Sequence, residues 1–259
     1  MLSFVDHFNL DRSAIRKVLL SALSRGGEYS DIFCEHTVAN FILMEEGIIK
    51  KSSKSVMMGA GVRTIRGEGV GYAYTEVLTP RKLKHAADTA AAIAESGNQV
   101  QPVSLSQVDY RNHYDISDTV TGSDLKAKIE LIRNAEKAAS TYHHSIVKST
   151  VSMMDVVSHI QIATSEGELL RDVRPMLHFT VHVVAEKDGN RQIGISSGGG
   201  RLGSSYFSGI RSPEDHGREA ARQAVLLLDA RQAPAGRMEL ILAPAESGIL
   251  LHESVGHPL

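Results

Sequence analysis

Apolar residues recur at helical spacing in five stretches of the chain, and turn or capping residues mark where most of them begin or end. One stretch stops before Gly26-Gly27, and another opens with Thr79 and Pro80, which suit a helix cap and the first helical position. Ser212 and Pro213 open a later stretch in the same way. The pattern predicts helices at about 15–23, 80–96, 123–142 and 213–230, and a last one from about residue 244.

Between these helices the chain is rich in β-branched residues and interrupted by glycines. Residues 31–76 predict several short strands joined by tight turns, and the basic run 50–54 predicts a solvated hairpin. Residues 144–200 predict a β-meander, because Ser165-Glu166-Gly167 and Asp188-Gly189 provide turn chemistry. Residues 237–243 predict one more short strand.

The order of these elements favours an α+β fold, with antiparallel β-rich sheets and flanking helices in two lobes. The polar stretch 98–121 has no clear period and predicts a linker between the lobes. We therefore expect an N-terminal α+β lobe at 1–118, a second lobe with the β-meander at 119–232, and the start of a further domain at 233–259.

Composition narrows the classes of function. The formal net charge of −2 gives no electrostatic reason to expect a nucleic-acid or acidic-membrane partner. No apolar stretch approaches the roughly 20 residues that span a bilayer, and the first residues lack the pattern of a signal peptide. The single cysteine, Cys34, excludes an internal disulfide, and its apolar surroundings predict a packing role. We expect a cytoplasmic protein.

The chemistry lies at the end of the chain, in the sequence HESVGH at 252–257. Imidazole nitrogen binds zinc well, and a neighbouring carboxylate can take a proton from water that attacks a carbonyl. In the common motif H-E-x-x-H the histidines lie about 40° apart around a helix, whereas His252 and His257 would lie roughly 140° apart on a regular helix. A zinc site therefore requires a distorted helix end, and a structural histidine pair is the alternative.

Two neighbouring residues could provide that distortion. Gly256 can accommodate a π-bulge or an unwound last turn. Pro258 restricts His257 and favours a conformation outside the helical region for it.

Two glycine-rich stretches invite comparison with nucleotide-binding loops. Residues 195–201, ISSGGGR, lack the lysine and hydroxyl residue of a P-loop, so a hairpin tip or peptide-contacting loop is the better interpretation. Residues 59–71 contain no G-x-G-x-x-G and fall among predicted strands.

Several segments, in the same order, resemble the TldD/PmbA family of zinc metallopeptidases, and specifically its TldD branch. They cover nearly the whole chain from about Ser30. One departure is Asn190, where the family often has glycine. The segments are GAGVRTIRGEGVGYAYT at 59–75, SEGELLRDVRPM at 165–176, residues 190–201, and the stretch 220–257 that ends in the motif.

This resemblance implies a cytoplasmic peptidase that acts on unstructured peptides and forms a heterodimer with a TldE/PmbA-like paralogue. It implies that His252 and His257 are zinc ligands and that Glu253 is the general base. Family members continue for a couple of hundred residues, and their third zinc ligand, a cysteine, lies in that continuation. We therefore expect an N-terminal part of such an enzyme, with 233–259 as the truncated start of its C-terminal metallopeptidase domain.

A second interpretation belongs to another class of function. Two ligands hold zinc weakly, so the chain taken alone could serve as a non-catalytic module that binds a partner and no metal.

Overall fold

The structure is a computed structural model that describes residues 8–95, 104–108, 120–244 and 247–258. It contains two compact units, Met1–Leu228 and Asp229–Leu259. The first unit is built on seven strands: β1 (Tyr29–Glu45), β2 (Ile48–Arg66), β3 (Gly69–Thr75), β4 (Ser106–Gln107), β5 (Ile146–Thr164), β6 (Glu168–Lys187) and β7 (Asn190–Gly200).

The seven strands form one sheet in the order β3-β2-β1-β5-β6, with β4 and β7 both on the outer side of β6. Every pairing is antiparallel except that of β4 with β6. Tight turns at Gly47, Gly67, Gly167 and Gly189 connect consecutive strands, and each of these glycines has a positive φ that other residues rarely adopt. The predicted α+β class is confirmed.

Helices cover one face of this sheet in two groups. Every second residue of β1 points toward them, with Ile32 and Cys34 beneath one group and Ile42 and Met44 beneath the other. The first group is α1 (Arg12–Leu23) and α2 (Pro80–Ile93), and the second is α3 (Leu125–Ser140), α4 (Ser205–Gly209) and α5 (Pro213–Leu228).

The predicted helices at 15–23, 80–96, 123–142 and 213–230 correspond to α1, α2, α3 and α5. Ser212 caps α5 as expected, because its hydroxyl accepts a hydrogen bond from the Asp215 N–H at 3.1 Å. The meander of residues 144–200 is present as β5, β6 and β7, with turns at the predicted positions.

Several strand predictions were wrong in length or place. Residues 31–76 form three strands, two of them long, because the glycines at 59 and 61 lie within β2 instead of turning the chain. Residues 50–54 are exposed, as predicted, and lie in the second strand of the β1–β2 hairpin, whose turn is at 46–47. Residues 195–200 continue β7 along β6 and form no hairpin tip.

The predicted linker at 98–121 falls mostly outside the described residues. Its described residues are 104–108 and 120–121, and the first group includes strand β4, whose first residue Ser106 donates its backbone N–H to the carbonyl of Gly167 at 2.6 Å. This segment therefore joins the sheet. The sheet itself runs through both predicted lobes, since β1 pairs with β5 along its length.

The unit Asp229–Leu259 has little regular structure. The strand predicted at 237–243 does not form, because these residues make none of the backbone pairings with a neighbouring strand that a strand requires. Helix α6 (Ser247–Leu251) begins close to the predicted position, and a π-helical turn (His252–Gly256) follows it directly. Apart from half-buried Ser247, the described side chains of this unit are exposed, and Ile241 is 99% exposed.

Candidate metal centre

The π-helical turn positions the two histidines of the motif. The backbone N–H of His257 donates to the carbonyl oxygen of His252 at 3.1 Å, which is an i→i+5 hydrogen bond. This bond adds one residue to the helical turn, so two side chains five apart come to the same side. The expected distortion of the helix end is therefore present, as a π turn.

The expectation for Pro258 was wrong. His257 keeps helical dihedral angles, with φ −79° and ψ −32°, although a proline follows it. The i→i+5 hydrogen bond holds His257 in the turn, and the restriction from a following proline is a preference that this bond overcomes. At Gly256, an added Cβ would lie 3.5 Å from His252 Nδ1, an ordinary contact, so space alone does not demand glycine there.

The three polar side chains of the motif converge. The rings of His252 and His257 lie edge to face, with centroids 4.5 Å apart and planes at 72°. One potential ligand atom from each of His252, Glu253 and His257 lies within 4.8 Å of the other two, and all three residues are exposed. Tetrahedral zinc with bonds of about 2.1 Å needs donor atoms about 3.4 Å apart. Exposed side chains can close this difference by small rotations, so the donor set fits a zinc ion.

Cys34 does not join this set. Its side chain is buried in the apolar cluster beneath α1 and α2, which confirms the packing role expected from the sequence. Burial raises the pKa of the Cys34 thiol to about 12, so the thiolate that binds metal does not form at neutral pH. Among the described residues, the motif supplies the one group of three metal-binding side chains close enough to share an ion.

A second surface feature was not singled out in the sequence. An open hollow of about 550 Å³ lies on the helix-free face of the sheet, where β3 ends. Tyr72 and Tyr74 of β3 line it together with Phe33 and Met57. The sequence does carry a signal for this hollow. Tyr72 and Tyr74 are two residues apart, so they share one face of a strand, and the polar residues at 50–55 indicate that the neighbouring strand is exposed to solvent on both faces.

Family comparisons cover most of the chain. The model described as PmbA/TldA metallopeptidase domain 1 matches residues 30–94, and the model of the PmbA/TldA metallopeptidase central domain matches residues 118–228. The chain belongs to the PmbA/TldD family. The two matches contain β1 and β5 respectively, so the family's first and central domains share one continuous sheet in this member.

Curated relatives in this family are about twice as long as the chain. A metalloprotease TldD homolog of Haemophilus influenzae is 30% identical over 257 residues, which is 97% of this chain and 53% of the relative. A metalloprotease TldD homolog of Buchnera aphidicola from Acyrthosiphon pisum is 29% identical over 90% of this chain and 49% of its own length. The chain thus spans about half the length of the curated relatives it matches.

Solved structures support the fold. TldE from Thermococcus kodakarensis superposes with a TM-score of 0.64 at 13% identity, covering 82% of this chain and 47% of that one. A Thermotoga maritima protein, named for a proposed modulation of a DNA gyrase, gives a TM-score of 0.70 at 17% identity, covering 87% and 50%. At such identities the likeness is one of fold. Among the described residues, no helix of this PmbA/TldD member is both long and apolar enough to cross a membrane.

Proposed function

We propose that the chain is the N-terminal part of a TldD-like zinc metallopeptidase that hydrolyses peptide bonds in unstructured peptides. The observation that carries the proposal is the π-helical turn, which brings His252, Glu253 and His257 together despite their unusual spacing. Family membership and the names of the longer relatives support the same reaction class. We further propose a cytoplasmic location and a TldE/PmbA-like paralogue as heterodimer partner.

In this proposal His252 and His257 hold the zinc through their imidazole nitrogens, and a cysteine in the remainder of the longer protein completes the set. Zinc bound there would act as a Lewis acid toward the peptide carbonyl and lower the pKa of water. Glu253 accepts the proton of the attacking water, since its carboxylate lies beside both imidazoles. The two ring centroids lie 4.5 Å apart, close enough for one ion to contact a nitrogen of each ring.

A second candidate function is a non-catalytic module that binds a partner and no metal. The observation in its favour is that the one group of three metal-binding side chains among the described residues consists of two imidazoles and a carboxylate, all exposed, while the cysteine is buried. An exposed two-histidine site holds zinc weakly.

The first measurement is zinc content per chain after extensive dialysis, for the 259-residue chain and for His252→Ala. We expect little zinc in both, because the proposal places the third ligand in the remainder of the longer protein. Near-stoichiometric zinc that disappears in His252→Ala would contradict a missing ligand and show that the chain completes its own site.

The catalytic role needs a longer protein that includes the rest of the family's length. There, Glu253→Gln should keep its zinc and lower the rate of peptide hydrolysis by about 100-fold or more, the usual effect of removing a general base. His257→Ala should lose zinc and activity together. Full activity in Glu253→Gln would show that another group accepts the proton, and a zinc-free longer protein would favour the partner-binding module.

A further inference from the structure

Strand β2 has a long edge with no strand beside it. Strand β3 pairs only with residues 60–66 of β2, so residues 48–59 have, among the described residues, a neighbour on the β1 side alone. An unpaired strand edge offers a row of backbone N–H and C=O groups to another extended chain. Nearly all side chains along this edge, on both faces of the strand, are exposed.

The edge carries positive charge at its beginning. Lys50, Lys51 and Lys54 lie on it, and β2 contains no acidic residue. None of the three lysines has a carboxylate within ion-pair distance among the described residues, although Lys51 lies over the ring of Phe41 at 5.4 Å. Two copies paired along this edge would bring six lysines and no acidic residue of β2 to one junction, so charge repulsion opposes self-pairing. An extended chain with acidic side chains is the complementary occupant.

The other end of the edge is apolar. Val56, Met57 and Met58 are exposed there, Met57 by 63%, and the hollow of about 550 Å³ lies next to them, with Glu35 and Glu76 also in its lining. A Cβ added to Gly61 would lie 2.5 Å from the Tyr72 hydroxyl oxygen, so this glycine lets the tyrosine ring lie against the sheet and form a wall of the hollow. Tyr74 is 71% exposed. A strand added in line with β3 would place an apolar side chain beside these rings.

We propose that residues 48–59 of β2 bind an extended peptide by strand addition, with acidic side chains opposite Lys50, Lys51 and Lys54 and an apolar side chain in the hollow. The added strand runs antiparallel to β2, as β3 does. This binding requires neither a metal nor hydrolysis, so it goes beyond the proposed function and stands or falls separately from it.

The test uses the 259-residue chain in EDTA and fluorescence anisotropy of a labelled ten-residue peptide. The peptide has valine, leucine and threonine in its N-terminal half and consecutive glutamates in its C-terminal half, so that both faces of the added strand carry acid, as both faces of β2 carry lysine. Two further probes are a version with lysine in place of glutamate and a version N-methylated at alternate amides, which cannot form the strand hydrogen bonds.

We expect saturable binding of the acidic peptide and none of the N-methylated one. The double variant Lys51→Glu, Lys54→Glu should weaken the acidic peptide roughly tenfold and bind the lysine peptide instead, since two attractions become repulsions. The matched control is Lys82→Glu, Lys126→Glu, which makes the same charge change at exposed positions of α2 and α3. It should alter binding of the acidic peptide by less than about twofold.

Three outcomes would overturn the proposal. If the N-methylated peptide bound as tightly as the unmodified one, charge alone would explain the binding. If the control variant weakened binding as much as Lys51→Glu, Lys54→Glu does, the peptide would bind elsewhere. A dimer of the chain in sedimentation, undisturbed by excess acidic peptide and absent in Lys51→Glu, Lys54→Glu, would assign the edge to a second copy.

Discussion

His216 of α5 is an ionisable residue with no exposed surface, held between two hydroxyl groups. Its Nδ1 lies 2.8 Å from Ser196 Oγ and its Nε2 lies 2.8 Å from Tyr206 Oη. Each hydroxyl can donate or accept, so a neutral imidazole is fully satisfied in either tautomer. Burial, aided by the positive charge of Arg211, lowers the pKa of His216 from 6.5 to about 4. The ring is therefore a neutral structural link between β7, α4 and α5.

This histidine should make stability fall in mild acid. The unfolded chain binds a proton near pH 6.5, whereas the folded chain resists it until about pH 4, so unfolding takes up protons between these values. The stabilisation is present above pH 6.5 and is lost as the pH falls toward 4, with a full size of about 3 kcal/mol. Denaturant unfolding at pH 7 and pH 5 measures it, and His216→Gln should show a smaller difference between the two pH values than the unchanged chain. If both proteins lost the same stability between pH 7 and pH 5, other titratable groups would account for the pH dependence.

Lys128 and Asp155 form a buried ion pair that joins α3 to β5. The Lys128 Nζ lies 3.0 Å from Asp155 Oδ2, with side chains only 4% and 3% exposed. The amide of Asn40 in β1 donates to the other carboxylate oxygen at 2.9 Å. Such pairs add little net stability, but removing one partner leaves an uncompensated charge in the core.

Lys128→Ala should therefore lower the free energy of unfolding by about 3 kcal/mol. The double variant Lys128→Met, Asp155→Asn removes both charges and keeps an acceptor for Asn40, so it should recover most of the loss. Urea denaturation measures all three proteins. The control is Lys84→Ala in the exposed pair with Asp88, which should cost less than about 0.5 kcal/mol. A double variant no more stable than Lys128→Ala would contradict the charge argument.

At the scale of elements, glycines decide how closely helices approach the sheet. A Cβ added to Gly194 of β7 would lie 1.9 Å from the carbonyl oxygen of Ala220 in α5, and one added to Gly71 of β3 would lie 1.9 Å from that of Ala90 in α2. Both contacts are with backbone, so the helix itself would have to move. The two helix groups thus rest on the sheet through matching glycine–alanine contacts.

Gly194→Ala should consequently destabilise the first unit by about 1–3 kcal/mol, the range for overpacking a core. Gly209→Ala is the matched control, because an added Cβ there meets nothing within 4 Å and the residue has no positive φ. Thermal unfolding of both variants measures the effect. Equal melting temperatures in the two variants would show that α5 shifts without cost.

These glycines also explain where sequence reasoning succeeded and where it failed. Helical periodicity predicted α1, α2, α3 and α5, because each helix has one apolar face, and end signals helped to place α1, α2 and α5. A glycine that turns the chain, such as Gly67, and one that admits a neighbour, such as Gly61, look alike in sequence. The sequence therefore predicted several short strands where β1 and β2 are long, since only the residues packed against a glycine show whether it turns the chain or admits a neighbour.

The candidate site was more predictable than the strands. A zinc ion shared by His252 and His257 would require a non-α turn at their five-residue spacing, and the structure contains one. The open edge of β2 was not predictable, because whether a neighbour covers an edge depends on the length of β3. The proposed third zinc ligand was expected outside these residues, and the one cysteine of the chain, Cys34, is buried.

At the scale of the whole molecule, apolar surface is concentrated in the second unit. Leu240, Ile241 and Leu242 are 74%, 99% and 56% exposed, and the leucines of α6 add to them. Contiguous exposed apolar residues usually mark a surface that another part of a protein covers. In the longer relatives, we expect the residues beyond the matched half to cover this surface.

The 259-residue chain should accordingly self-associate as its concentration rises. The triple variant Leu240→Ser, Ile241→Ser, Leu242→Ser should reduce this association, measured by sedimentation velocity. The control is Leu226→Ser at a 63% exposed position of α5, which should leave association unchanged. A monomer at high concentration would contradict the view that residues 233–259 begin a further domain.

The pairing of β1 with β5 determines when the sheet can be completed during synthesis. Strand β1 is complete at residue 45, but the strand that covers its second edge is complete only at residue 164. A ribosome adds about 5–20 residues per second, so that edge waits roughly 6–24 seconds for its partner. During this interval β2 and β3 can already form a hairpin sheet with β1, and its open side is prone to pair wrongly. We therefore expect the folding yield of the chain to depend on the speed of translation between these two strands.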